Sequence, residues 1–241
     1  MTKKTGFHKE TLPHTSEFSR RAKSYGEYNI VQRKVVQKLI SGIESKPQKI
    51  LDLGCGSGAV YHLIDWEIEH FTGIDKADQM CALHPKKSHI TLLHEDFENE
   101  AVLKQLGNFD MVISSSALQW ASNLDKLFAN IASMTDEIAF AIFCNGTFQT
   151  IYEITKMESF LPSHQILTQK LHKYFTFHSE LVQYRLEFQD NLSKFRYIKK
   201  SGVSGGKRKL NFQQTKKLIQ TYPLNYLEFE VMFCWGKSKL T

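Results

Sequence analysis

Hydrophobic and polar positions change period several times along this chain, and the changes predict an alternation of helices and strands. From 18 to 43, Tyr25, Tyr28, Gln32, Val35, Val36, Leu39 and Ile40 recur at helical spacing. From there, short apolar runs predict strands near 49–54, 71–75, 89–95, 109–115 and 137–143. Between them lie amphipathic stretches that predict helices at 58–65, 77–83, 99–106 and 123–133. Strand-then-helix alternation implies a parallel sheet with helices on both faces. After Asn145 the regularity stops. Residues 148–160, 164–174, 192–200 and 212–220 read as helices, 181–189 as a strand, and 224–235 as a strand that closes the sheet. With no repeat and no low-complexity linker, the pattern predicts one domain over 1–241: a helical N-terminal part (1–45), a core (46–145), and helices with closing strands (146–241).

The ends of the predicted strands carry the candidate chemistry. Ile50-Leu51-Asp52-Leu53 runs into Gly54-Cys55-Gly56-Ser57-Gly58, an acid followed by three alternate glycines. Glycines there let the backbone bend tightly and let a ligand approach where a Cβ would stand. A dinucleotide site reads G-x-G-x-x-G and sets a pyrophosphate on a helix N-terminus. Here the third glycine comes one residue early, and Asp52 would repel a pyrophosphate and attract a cation. Asp75 closes the second strand about twenty residues on, where nucleotide-binding α/β folds hold ribose hydroxyls. Asp96, next to Phe97, closes the third, and Ser114 lies near the end of the fourth, before Gln119-Trp120. A single Asp is commonly a loop or capping residue. Four strand ends in series argue for one ligand site at the carboxyl edge of the sheet.

Composition narrows the class. The 241 residues are 41% hydrophobic, enough for a sizeable core, and no apolar run approaches the roughly 18 residues that span a bilayer. Cys55, Cys81, Cys144 and Cys234 are scattered, and the ten histidines show no ligand spacing, so neither a disulfide framework nor a metal site is expected. With a polar N-terminus, the expectation is a soluble protein of a reducing compartment, the cytoplasm.

Charge is uneven. Residues 151–241 carry a net +8 and residues 1–150 a net −2. Between Asn191 and Leu227 stand Lys194, Arg196, Lys199, Lys200, Lys207, Arg208, Lys209, Lys216 and Lys217, with no acid. Such a run serves as solvated surface, as a nucleic-acid patch or as a dock for an acidic protein. RNA recognition adds exposed aromatics for base stacking. Phe195, Tyr197 and Phe212 sit instead at core-like spacing, with Leu192, Phe195 and Ile198 reading as one buried face. An acidic protein partner fits better than RNA, and no membrane contact is expected.

The glycine turn and its acids resemble the first motifs of class I S-adenosylmethionine-dependent methyltransferases. Four segments together resemble the malonyl-acyl carrier protein O-methyltransferases of biotin synthesis: Phe18-Ser19-Arg20-Arg21-Ala22-Lys23-Ser24-Tyr25 through Gln32, the glycine turn, Ser114 to Leu124 with its Gln119-Trp120, and Asn191 to Gly202 with Tyr222-Pro223-Leu224-Asn225-Tyr226. One departure is Met134-Thr135-Asp136-Glu137, where relatives have a Pro-Gly-Gly-like turn. The resemblance implies a doubly wound, mostly parallel seven-stranded sheet with an N-terminal helical lid and helical insertions in the C-terminal part. It implies S-adenosylmethionine as co-substrate, no metal, and an acidic carrier protein bearing a malonyl group as partner. Asp52, Gly54, Gly56 and Gly58 would take the methionine end, Asp75 the ribose, Asp96 and Phe97 the adenine. Ser114 would line the cofactor pocket, with Tyr25, Tyr28 and Gln32 as its lid. Gln119 and Trp120 would line the acceptor pocket, Arg196 would pair with the malonyl carboxylate, and Lys199, Lys200 and Lys207 to Lys209 would steer the carrier. No general base is implied, because a carboxylate is ionised at neutral pH. Methylation of another small acid or of RNA, and a non-catalytic binding role, are the competing expectations.

Overall fold

The computed structural model describes residues 29–201 and 210–240. The predicted doubly wound sheet is present, with seven strands in the order β3-β2-β1-β4-β5-β7-β6. These are β1 (Lys49–Leu53), β2 (His70–Ile74), β3 (Ile90–Leu93), β4 (Phe109–Ser115), β5 (Thr135–Phe143), β6 (Phe175–Glu187) and β7 (Tyr226–Ser238). Strands β1 to β5 are parallel, whereas β7 inserts antiparallel between β5 and β6. The order reverses at β1, between β2 and β4, and in open α/β sheets ligands bind at the carboxyl end of such a switch point.

Alternation along the central strands divides the core. Ile50, Met111, Ile113, Ala139 and Ala141 face one side, against Val31, Val35 and Leu39 of α1 (Ile30–Ser41), Tyr197 of α7 (Asn191–Ser201) and Leu218 of α8 (Phe212–Thr221). Leu51, Leu53, Val112, Ile138 and Phe140 face the other. There they meet Leu127, Phe128 and Ile131 of α4 (Leu124–Ala132) and Leu167 and Leu171 of α6 (His164–Leu171). Both faces are apolar because a parallel sheet is covered on both sides. The direction of α1 follows from its C-terminal contacts: the Trp235 indole donates to the Leu39 carbonyl oxygen (3.0 Å), and the Ser45 hydroxyl donates to Glu137 near the start of β5. The start of α1, with Asn29 and Gln32, therefore lies toward the carboxyl ends of the strands. No helix among the described residues is long and apolar enough to cross a membrane.

Several expected elements are shorter. The helix expected at 58–65 is one 3-10 turn, Tyr61–Leu63. Gly58 holds φ +86°, which a right-handed helix cannot include, so no helix starts there. The helices expected at 77–83 and 99–106 shrink to α2 (Asp78–Cys81) and α3 (Glu100–Leu103), and that expected at 148–160 is α5 (Gln149–Thr155), stopped by Lys156 at φ +56°. The helix expected to reach 174 ends at Leu171, and β6 begins at Phe175 rather than 181, because Phe175 enters the second core. Of the expected lid, Tyr25 and Tyr28 lie outside the described residues, as do Lys207 to Lys209.

Candidate cofactor and acceptor site

The turn after β1 is fastened to its neighbours before any ligand is considered. Gly54 and Cys55 both donate their backbone N–H to the Ile74 carbonyl oxygen, at 2.7 and 3.1 Å. A Cβ on Gly54 would collide with the Ala117 side chain, and one on Gly58 would stand 2.8 Å from Pro85 and 3.0 Å from the His84 ring. The turn after β4 thus folds directly against the turn after β1. Asp75, at the end of β2, completes the fastening: Oδ2 accepts from Gly56 N–H (2.9 Å) and Oδ1 from Ala77 N–H (2.8 Å). Burial raises its pKa, and those two donors offset the rise only in part. Each oxygen keeps further acceptor capacity, which suits a vicinal diol.

At the end of β3, Asp96 accepts from Glu98 N–H (3.0 Å) and pairs with Lys76 Nζ (3.1 Å). Lys76 in turn lies 6.0 Å above the Phe97 ring. Phe97 is buried in the second core, and its ring edge would stand 4.0 Å from a Cβ on Gly54, so it floors the glycine turn. Lys76 was not among the sequence candidates; its place directly after the strand-ending Asp75 was the available signal.

Asp52 behaves differently from every other carboxylate described here. It is 1% exposed, and neither Oδ1 nor Oδ2 has a hydrogen-bond partner. Burial pushes its pKa well above the usual range, and the negative charge of Asp75 adds to the effect. A buried unpaired carboxylate is costly, and native proteins retain one where a ligand or catalytic role requires it. Around the same carboxyl edge, Ser116 Oγ, Gln119 Oε1 and, on α1, Gln32 Oε1 are also buried without partners. These atoms are acceptors, apart from the one hydroxyl that can also donate, so they fit a ligand that is cationic and rich in N–H donors. S-Adenosylmethionine meets that requirement through its ammonium and sulfonium groups. Ser116 is also a non-glycine residue at φ +63°, a strain of about 1–3 kcal/mol of the kind found at functional sites.

Ser114 is fully buried and its hydroxyl donates to the Leu53 carbonyl oxygen (2.6 Å), clamping β4 to β1 just before the glycine turn. Arg196, expected to pair with the malonyl carboxylate, stands exposed on α7. Of the expected face of α7, Phe195 and Ile198 pack half-buried against the first core whereas Leu192 is exposed, and the fully buried positions are Lys194, Tyr197 and Ser201, one position round. The cause is Lys194, whose chain lies inward, 4.8 Å over the Tyr222 ring, with Nζ donating to the Leu224 carbonyl oxygen. Burial lowers its pKa. Tyr222 in turn donates to Glu228 Oε2 (2.9 Å). Arg196, Lys199 and Lys200 point outward on α7, and Lys216 and Lys217 are exposed on α8. Trp120 stacks on Phe160 with centroids 5.3 Å apart, bridging the turn after β4 to the loop after α5.

Known proteins share both the sequence pattern and the fold. Residues 50–137 match the methyltransferase domain family model. The malonyl-[acyl-carrier protein] O-methyltransferase of Bacillus cytotoxicus is 32% identical over 173 residues, covering 64% of this chain and 59% of that protein. The protein of that name from Acetivibrio thermocellus is 29% identical over 246 residues, covering 85% and 83%. For the Bacillus cereus relative the matched stretch spans 54% of its length, so the chain aligns with little more than half of several of these proteins. Among solved structures, the YcgJ protein of Bacillus subtilis superposes with a TM-score of 0.62 at 10% identity, over 85% of this chain and 98% of that one. Magnesium protoporphyrin IX methyltransferase of Synechocystis, solved with bound S-adenosylhomocysteine, gives 0.52 at 12% identity over 99% and 90%. The architecture is the class I methyltransferase fold.

Proposed function

With a methyltransferase domain over 50–137 on the class I fold, we propose that this chain transfers a methyl group from S-adenosylmethionine to the free carboxylate of a malonyl thioester on an acidic acyl carrier protein. The observation that carries the transfer chemistry is the buried Asp52 carboxylate, unpartnered beside the glycine turn. The resemblance to the malonyl-carrier methyltransferases supplies the acceptor.

The co-substrate supplies an electrophilic methyl on a sulfonium. The chain's tasks are to bind, to orient and to exclude water. Asp52 answers the ammonium, Asp75 the ribose hydroxyls, and Asp96 the adenine amino group, each from the end of a different strand. Because the three acids come from β1, β2 and β3, rigid neighbours in one sheet, their spacing is set without ligand and little ordering remains to be done on binding. The acceptor is a carboxylic acid with a pKa of about 4, ionised at neutral pH and its own nucleophile, so no side chain has to remove a proton. Catalysis then rests on holding that oxygen in line, and alignment of this kind supplies about 7–11 kcal/mol in favourable systems. An anion and a sulfonium combine with loss of charge, so limiting water around the reactants favours reaction, and we assign part of that task to Trp120 in the turn after β4, against which Phe160 stacks.

Arg196, Lys199 and Lys200 on α7, with Lys216 and Lys217 on α8, present an exposed cationic surface on neighbouring helices. We assign to it the approach of the acidic carrier, an effect on association rate that salt weakens. The test is transfer of labelled methyl to the malonyl carrier protein against the acetyl carrier protein, which has no free carboxylate. Label on the malonyl form alone is expected; equal label on both would overturn carboxyl methylation, and label on added RNA alone would move the acceptor class.

A further inference from the structure

We propose that Gln119 Oε1 and Ser116 Oγ complete, with Asp52, a cradle for the protonated amino group of the co-substrate's methionine portion, so that Gln119 serves the cofactor rather than the acceptor. This rests on the reading of the site as one for S-adenosylmethionine, but not on the identity of the acceptor.

The hydrogen-bond inventory points this way. Gln119 is 8% exposed, and its Nε2 donates to the Ser116 carbonyl oxygen at 2.7 Å. That bond fixes which end of the amide is which, because a carbonyl can only accept. The end left without a partner is therefore Oε1, an acceptor. An acceptor directed into a buried site is a poor host for an anionic carboxylate and a good one for an ammonium, which brings three N–H donors. Ser116 Oγ and both oxygens of Asp52 are likewise unpartnered.

The backbone brings these groups to one place. Asp52 is paired with Ile113 in the β1–β4 register. Two residues after Asp52, Gly54 lies against Ala117, the residue between Ser116 and Leu118. Ser116 is held in its left-handed conformation from both sides: its N–H donates to the Ala141 carbonyl oxygen (2.8 Å), and its carbonyl accepts from Gln119. Glycine would occupy that conformation without strain. A serine there keeps a hydroxyl next to Gln119, on the turn that packs against Gly54.

The experiment is isothermal titration of the full chain with two probes. One is S-adenosylhomocysteine; the other is the same thioether bearing butyrate in place of homocysteine, which lacks only the amino group. The wild-type protein is expected to prefer the amino-bearing probe. In Gln119→Met that preference falls roughly tenfold, by loss of a hydrogen bond to a charged group, while affinity for the amino-free probe stays within about twofold. Ser116→Gly, which relaxes the backbone and so keeps the fold, is expected to reduce the same ratio by a smaller factor. An unchanged ratio in both variants, or equal weakening of both probes, overturns the cradle. Wild-type protein that binds neither probe overturns the reading of the site itself. A protein that shows the ratio but does not methylate a malonyl thioester keeps the cradle and loses only the acceptor.

Discussion

Replacing Asp52 by Asn separates the two consequences of burying a carboxylate without a partner. In the free protein the ionised group has lost water and gained no hydrogen bond, and burial followed by repulsion from Asp75 raises its pKa. A raised carboxyl pKa means that the folded protein holds the proton more tightly than the unfolded chain does. The group's contribution to stability is present at low pH and lost as pH rises through the folded-state pKa. At neutral pH, Asp52→Asn should therefore stabilise the ligand-free protein. An unsatisfied buried polar group costs about 1–3 kcal/mol, and more if charged. The amide itself finds no partners, so the net gain expected is about 1–2 kcal/mol, a Tm rise of about 2–8 °C for a chain of this size. The same substitution removes a charge-assisted contact to the ligand's ammonium, about 1.5–3 kcal/mol, and should weaken S-adenosylhomocysteine binding roughly 10- to 150-fold. Thermal unfolding without ligand and titration calorimetry read the two effects separately. The Tm gap between variant and wild type should also narrow as pH falls and the wild-type carboxyl takes its proton. A variant that is less stable than wild type at neutral pH and binds the ligand normally would refute the reasoning at both points.

Other residues give further tests. Gly54→Ala forces a Cβ into Ala117 at φ +79°, and should lower Tm and weaken cofactor binding more than tenfold, the left-handed backbone alone costing about 1–2 kcal/mol. Arg196→Ala with Lys199→Ala should leave Tm unchanged and raise KM for the carrier protein, the difference from wild type shrinking in high salt; an unchanged KM would remove α7 from the docking surface. Lys194→Ala should do the opposite, losing about 1–3 kcal/mol of stability by orphaning the Leu224 carbonyl and emptying the space over Tyr222, with no salt-dependent change in KM. Tyr222→Phe should also lower Tm, since it leaves Glu228 Oε2 without the Tyr222 donor.

Much of the sheet was legible because buried parallel strands are short, largely apolar runs, and Ile50 to Leu53, Phe71 to Ile74 and Phe109 to Ser115 keep that character although Asp52, Thr72 and Asp110 interrupt them. The short helices were less so. A helical pattern at 58–65 overlooks that Gly58 adopts a positive φ, a tertiary matter of what packs against the turn. The start of β6 was hidden because Leu167, Leu171 and Phe175 keep i,i+4 spacing across the point where helix gives way to strand. On α7, apolar spacing chose the face of Leu192 and Phe195, but a lysine can bury its stem when its tip finds a carbonyl, and Lys194 does. In the site, Asp52 and Asp75 stood out by position alone. Ser116 did not: in the run Ser114-Ser115-Ser116 no local signal says which serine takes a strained backbone and which, like Ser114, clamps a neighbouring strand.

The most direct test of carboxyl methylation is intact-protein mass spectrometry of malonyl carrier protein incubated with S-adenosylmethionine and this chain, beside malonyl-coenzyme A, free malonate and acetyl carrier protein. The account predicts a gain of one methyl group on the malonyl carrier protein, absent from the acetyl form and removed by mild esterase treatment. No gain on any malonyl thioester, from protein that binds S-adenosylhomocysteine, would contradict it.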